Sequence, residues 1–378
     1  MSKARELADL GSVTTRLDEV GNTDGALSNR NLIINGAMQV AQRGTSSTSN
    51  GIHTVDRFGC VYGTGTITQS QQSLTSSDTP FSKGFRSSFR ATVTTPSSSS
   101  TSFTQIENFI EAQDIAKSGW DYTSPSSYVT CSFWAKSSLA GTYYAACLTF
   151  DGGSYYQNKS FTLAANTWKK ITFTVSGDSS LQVDNDTGAG FQIRVVPDYG
   201  TAYTGGSEAV LDAWYLRTQS NGYFPNYAQD WQNTSGATFE ITGVQLEVGD
   251  TATPFEHRSY GDELARCQRY YWRRSSTGTD DGVMNMNAYS TTVCYGVIHL
   301  PVMMRSSPTF SYNEAGSSFR YYGNNSAPYI STGGLGIANA STNSVEMLAF
   351  PSTSAPQGSG GWLRFQAASQ WIAYDAEL

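Results

Sequence analysis

The sequence predicts a mainly β protein: a short N-terminal helix, a β jelly-roll sandwich, then a second, smaller C-terminal β domain. Three observations carry this. Charged residues make up only 15% of the chain and aromatics 13%, with 22 Tyr, a composition suited to pleated, half-buried surfaces rather than helices. From Asn29 onward, short alternating runs are separated by turn clusters such as DGGS at 151–154 and DNDTGAG at 184–190, the pattern of antiparallel sandwiches. The chain of 378 residues exceeds what one hydrophobic core usually serves, and its pattern breaks near 255–275. The expected domains are 1–28, 29–258 and 259–378.

Residues 2–21 have helical spacing. Leu7 is followed by Leu10, Val13, Leu17 and Val20, whose 3-4-3 spacing is an a/d seam with Arg16, Asp18 and Glu19 off it. A helix this short is marginal alone in water, so it is expected to dock on a larger body or pair with its copies. Gly21, Asn22, Asp24 and Gly25 stop it. Strands are expected at 32–34, 128–136, 143–150, 169–175, 191–196, 209–216 and 239–246. Trp134 and Trp168 read as core because they sit in such runs. A helix is expected at 107–118, with Phe109, Ile110, Ile115 and Ala116 apolar. Residues 261–271 begin as a helical turn and run into a strand at 268–273. Further strands are expected at 293–300, 309–312, 319–322, 345–350, 362–367 and 370–376.

Several function classes fall away. The net charge is −7 and the densest basic run, RYYWRR at 269–274, is short, so nucleic acid is not an expected partner. No stretch of about 18 apolar residues occurs, so membrane insertion is not expected either. The N-terminus lacks an apolar signal region. Cys60, Cys131, Cys147, Cys267 and Cys294 form no CxxC pair and read as buried free thiols. His53, His257 and His299 lie far apart, and no nucleophile-elbow, Walker or zinc-protease pattern occurs. Gly63-Thr-Gly65 reads as a turn. Asp184 and Asp186 fail the EF-hand spacing, because Gly188 falls too early and no Glu closes the loop. No catalytic residue, metal or cofactor is therefore assigned. Polysaccharide hydrolysis is the competing activity. It needs two carboxyl groups about 5–9 Å apart, and Asp212, Asp230, Glu240, Glu247, Asp280 and Asp281 are the candidates. Most of them sit beside Gly, Ser or Asn, where carboxylates commonly cap turns.

Five phrases narrow the class: NLIINGAMQVAQRG at 31–44 with VDRF at 55–58; ITGVQLEVG at 241–249 running to ATPFE at 252–256; ELARCQRYY at 263–271; LPVMMRSSP at 300–308; and the closing YDAEL at 374–378. In content and order the chain resembles bacteriophage tail fibre proteins, of the type found in phages of cyanobacteria and marine bacteria. Residues 31–258 also resemble carbohydrate-binding modules with a galactose-binding-like jelly roll, through SFWAK at 132–136, TWKKI at 167–171 and ITGVQLE at 241–247. The resemblance implies a non-catalytic structural protein of the virion, made in the host cytoplasm. It implies a homotrimer joined through its N-terminal segment to an adaptor, nozzle or tube protein, with host cell-surface polysaccharide as the distal partner. A glycan-degrading tail enzyme and a free lectin are the alternatives.

Glycan sites commonly stack an aromatic ring on the sugar, with amides and carboxylates at its hydroxyls. The loop-like stretch 221–231 offers Tyr223, Phe224, Tyr227 and Trp231 among Asn226, Gln229 and Asp230, although the same rings would serve to pack the sandwich. The C-terminal domain offers Tyr321, Tyr322, Tyr329 and Trp362. Tyr321 and Tyr322 are adjacent on an expected strand, so one faces the core and the other faces out.

Overall fold

A computed structural model describes residues 30–378, apart from Thr279, 314–318 and 324–326. The expected N-terminal helix and its seam of Leu7, Leu10, Val13, Leu17 and Val20 lie outside the described residues. The chain forms two compact units, divided between Tyr260 and Gly261.

The first unit is a sandwich. Its strands are β1 (Ser46–Ser47), β2 (Gly59–Tyr62), β3 (Thr66–Ser73), β4 (Ser87–Thr95), β5 (Phe103–Glu111), β6 (Tyr128–Ser137), β7 (Gly141–Thr149), β8 (Tyr155–Leu163), β9 (Lys169–Ser176), β10 (Ala189–Tyr199), β11 (Trp214–Leu216) and β12 (Thr238–Val248). They form two six-stranded antiparallel sheets, ordered β1-β3-β4-β12-β6-β9 and β11-β8-β7-β10-β5-β2. Period-two alternation sends Val129, Cys131, Phe133 and Ala135 from one sheet, and Phe191, Ile193 and Val195 from the other, into one shared core. All five cysteines are free and buried.

Three expectations are corrected. The helix expected at 107–118 is strand β5 through Glu111, followed by a single short helix α1 (Ala112–Ala116). The apolar residues Ile106 and Ile110 alternate with outward Glu107 and Phe109, and β10 supplies the ladder on one side. Only Trp214–Leu216 of 209–216 is strand, because tight turns at Ala209 and Val210 and a left-handed Asp212 precede it. Residues 32–34 run beside β12 without joining a ladder.

That last segment explains one landmark. The Asn31 side chain donates to the Val244 carbonyl at 3.2 Å and accepts from the Leu246 N–H at 3.1 Å. Asn35, left-handed at φ 62°, accepts from the Val40 N–H at 3.0 Å and donates to the carbonyls of Val40 and Asp56 at 2.8 Å each. A side chain on Gly36 would put its first carbon 2.0 Å from the Val244 carbonyl oxygen, so only glycine allows this approach to β12. Arg258 closes the site on the carbonyls of Asn31 and Ile33. The phrases at 31–44, 55–58 and 241–256 therefore meet in space and tie the sandwich shut.

The second unit opens within α2 (Tyr260–Gln268), one residue into the helix. Its strands are β13 (Tyr271–Ser275), β14 (Gly282–Ala288), β15 (Cys294–His299), β16 (Thr309–Tyr312), β17 (Phe319–Gly323), β18 (Ile330–Ala340), β19 (Ser344–Pro351), β20 (Gly360–Phe365) and β21 (Trp371–Asp375). A three-stranded sheet, β13-β21-β16, and a six-stranded sheet, β17-β20-β14-β15-β19-β18, share a core that includes Val283, Met286, Tyr321, Met347, Leu363, Phe365 and Tyr374. The remaining landmarks meet here too. The Ala376 N–H donates to the Tyr270 carbonyl at 2.8 Å, and Arg305 donates to the carbonyls of Ala376 and Glu377 at 2.8 Å each.

Candidate functional site

The outward face of the six-stranded sheet in the second unit is the chemically richest surface. Strand β14 reads Gly-Val-Met-Asn-Met-Asn-Ala, and its alternation buries Met286 and Ala288 while Asn285 and Asn287 point out. Cross-strand pairing fixes their neighbours. Asn285 faces Trp362 and Asn287 faces Gly360 on β20; on the other side Asn287 faces Tyr295 on β15. Val297 in turn faces Glu346 on β19.

Because Gly360 carries no side chain, the sheet is open between Trp362 and Tyr295. A trough of about 980 Å³ results, lined by Asn285, Asn287, Glu346 and Val297, with the Tyr289–Tyr295 pair at its rim. Those two rings meet edge to face at 5.5 Å, with Tyr289 72% exposed. Glu346 accepts a hydrogen bond from the Asn339 amide at 2.6 Å, which holds its carboxylate in place. Trp362 is 42% exposed and lines an adjoining cavity of about 440 Å³ with Arg364 and Asp280. Beyond Trp362 come Tyr322 and Arg320 on β17, then Tyr329. The surface thus offers flat rings for stacking and amides and a carboxylate for hydroxyl groups.

The eight expected glycan residues divide. Tyr322, Tyr329 and Trp362 lie on this face. Tyr321, the other half of the adjacent pair, is fully buried and donates its hydroxyl to the Ser359 carbonyl at 2.9 Å, so it is corrected to a core residue. In the first unit, Phe224 and Trp231 are also fully buried and present no face to a ligand. Trp231 belongs to the main core. Phe224 packs with half-buried Tyr223 and Tyr227 over Tyr144, Tyr156, Val196 and Tyr199 on the outer face of the β11-to-β2 sheet. Centroid separations there are 4.8 Å for Tyr144–Tyr227 and 5.2 Å for Tyr199–Phe224. Covering that apolar face stabilises the sandwich by about 1.5–3 kcal/mol per fully buried ring. Asn285, Asn287, Tyr289, Tyr295 and Glu346 were missed by sequence reasoning, although the alternation in 282–288 signals one polar, open face.

A second, polar cavity of about 330 Å³ lies at one end of the sandwich, lined by Ser98–Ser100, Asp198, Tyr199, Thr204, Asn226, Tyr227, Gln229 and Asp230. Burial, and then the charge of Asp230, push the Asp198 carboxyl up to about 6. Asp198 was not among the carboxylates the sequence offered for hydrolysis; of those, Glu240 is tied to Arg90 and Lys136, Glu247 to Thr253, and Asp281 to Thr277. Among the described residues no group of three or more metal-ligating side chains occurs, and no helix is long and apolar enough to cross a membrane.

No family model matches the chain, and no curated protein shows significant similarity to it. Solved structures do. The family 11 carbohydrate-binding module of a cellulosomal cellulase from Clostridium thermocellum is 13% identical, covering 57% of this chain and 98% of that module at TM-score 0.28. The N-terminal cellulose-binding domain of a β-1,4-glucanase from Cellulomonas fimi is 10% identical, covering 57% and 99% at TM-score 0.27. Scores of this size assign neither ligand nor site to this chain.

Proposed function

We propose that the chain is a non-catalytic tail fibre protein of a bacteriophage whose C-terminal unit recognises a host cell-surface glycan. The observation that supports glycan recognition is the trough over Gly360. Its exposed rings stack on the apolar faces of sugar rings, while Asn285, Asn287 and Glu346 meet hydroxyl groups. Such an open, half-polar cleft suits a saccharide better than an apolar ligand. The tail assignment is supported by the five sequence landmarks. The homotrimer, and attachment through residues 1–28 to a neighbouring tail protein, rest on the seam of Leu10, Val13, Leu17 and Val20.

The test is adsorption to host cells, and retention on immobilised envelope polysaccharide, by the full chain and by Tyr295→Ala and Trp362→Ala. Each substitution is expected to weaken retention about tenfold, which is the loss of roughly 1.4 kcal/mol. Undiminished adsorption by the double variant sinks the assignment to this face.

One observation favours a second reading. Asp198, with a pKa near 6, shares its cavity with Asp230. A carboxyl whose pKa burial raises toward neutrality is what a glycosidase general acid requires. Release of reducing ends from host polysaccharide, abolished by Asp198→Asn, would establish depolymerisation; no release by the native chain removes it.

A further inference from the structure

Resting on the glycan reading, the geometry points to an acidic glycan as the ligand, its anionic group held by Arg320 and Arg364. These two arginines are directly opposed in the β17–β20 register, on the outward face. Like charges directly opposite each other on a sheet repel. Here the pair stands on a chain of net charge −7, where carboxylates to neutralise it are plentiful. Yet among the described residues neither arginine makes an ion pair. Asp280 lines the same cavity as Arg364, but its Oδ1 accepts from the Tyr322 hydroxyl and the Gln366 amide at 3.1 Å each and pairs with neither arginine, while Glu346 is held by Asn339 toward the β18 edge of the sheet.

Aromatic rings hold the two guanidiniums in place of acids. Arg320 lies 3.8 Å from the Tyr329 ring centroid, and Arg364 lies 4.7 Å from that of Tyr322 and 5.1 Å from that of Trp362. Stacking orients a guanidinium and leaves N–H groups for the paired oxygens of a carboxylate, sulfate or phosphate; on Arg320 one nitrogen, Nη1, already donates to the Tyr322 hydroxyl at 3.4 Å. An anion placed between the two relieves their repulsion. Trp362 lines the adjoining cavity together with Arg364 and is paired across the strands with Asn285 of the trough wall, so a sugar ring on Trp362 carries its acidic substituent toward Arg364. The shared chemistry is an oxyanion on a polysaccharide.

The experiment is affinity electrophoresis of the full chain in gels holding polygalacturonate, its methyl ester, dextran sulfate, a phosphomannan or neutral dextran. Polygalacturonate and its ester share a backbone and differ in charge. Retention by at least one acidic polymer, about tenfold stronger than by the neutral ones, is expected. It should weaken as NaCl rises from about 0.05 to about 0.5 M. Which acidic polymer is retained separates carboxylate, sulfate and phosphate. Arg320→Gln/Arg364→Gln should abolish the preference while neutral retention persists, and Arg320→Lys/Arg364→Lys should recover only part of it, since lysine keeps the charge without the planar fork. Equal retention of charged and uncharged polymers by the native chain overturns the inference and leaves the trough reading intact. Retention of none of the five overturns both.

Discussion

Replacing Asn35 by alanine should cost the first unit much of its stability. The Val40 N–H would lose its acceptor at 3.0 Å, and the Asp56 carbonyl would lose a donor at 2.8 Å. The Val40 carbonyl is less affected, because the Asp56 N–H still donates to it at 3.0 Å. Two buried groups stripped of a partner cost about 1–3 kcal/mol each. Alanine in the left-handed region that Asn35 occupies, at φ 62°, adds about 1–2 kcal/mol. The expected loss is about 3–8 kcal/mol, set against a typical domain stability of about 5–15 kcal/mol. Asn35→Gly removes the same hydrogen bonds without the backbone strain, so it should be less damaging by about 1 kcal/mol. Urea unfolding followed by tryptophan fluorescence measures both, and hydrogen exchange at the Val40 amide reports the local loss. A decrease under about 1 kcal/mol with unchanged Val40 protection would refute the view that this phrase is a structural clasp.

Gly36→Ala forces a carbon onto the Val244 carbonyl oxygen at 2.0 Å, and soluble expression is expected to fall sharply, with Gly36→Ser no better. Glu240→Ala removes the carboxylate that Arg90 and Lys136 approach at 3.0 and 3.1 Å, but Lys136 keeps Asp78 at 3.4 Å and Arg90 is part-exposed, so a urea midpoint shift equivalent to about 1–2 kcal/mol is expected. Asp198 has its carboxyl raised from 3.8 to about 6, so the folded chain keeps a proton that the unfolded chain has released. Its contribution is complete below pH about 4, and is lost as pH rises through about 6, on the order of 3 kcal/mol in all. Asp198→Asn should flatten that decline in thermal melts across the same window. Light scattering of the full chain should give a trimer, and removal of residues 1–28 should abolish incorporation into virions; a stable full-length monomer contradicts the seam argument.

The two faces that bear on function differ in a way the sequence carries. Residues 143–148 read Tyr-Tyr-Ala-Ala-Cys-Leu, apolar at both parities, and the structure buries both: Tyr143, Ala145 and Cys147 in the main core, Tyr144, Ala146 and Leu148 beneath the 200–231 segment. A strand without alternation announces a cover, and Tyr223, Phe224 and Tyr227 belong to that cover. Composition alone reads the same rings as a ligand platform, because an apolar sheet and an apolar sugar face ask for the same side chains. The split of Tyr321 from Tyr322 was legible because period two is unambiguous over adjacent residues. The pairing of Tyr322 with Trp362 was not, since β18 and β19 intervene in sequence between β17 and β20 and only the folded register brings Arg320 opposite Arg364. Strand β14 is the converse of β7. Its alternating Met and Asn leave one face polar, so burying that face under the chain's own loops would strand the amides of Asn285 and Asn287 without partners. A saccharide, whose hydroxyls would pair with the amides and whose ring faces would meet Tyr295 and Trp362, would occupy such a face without that cost.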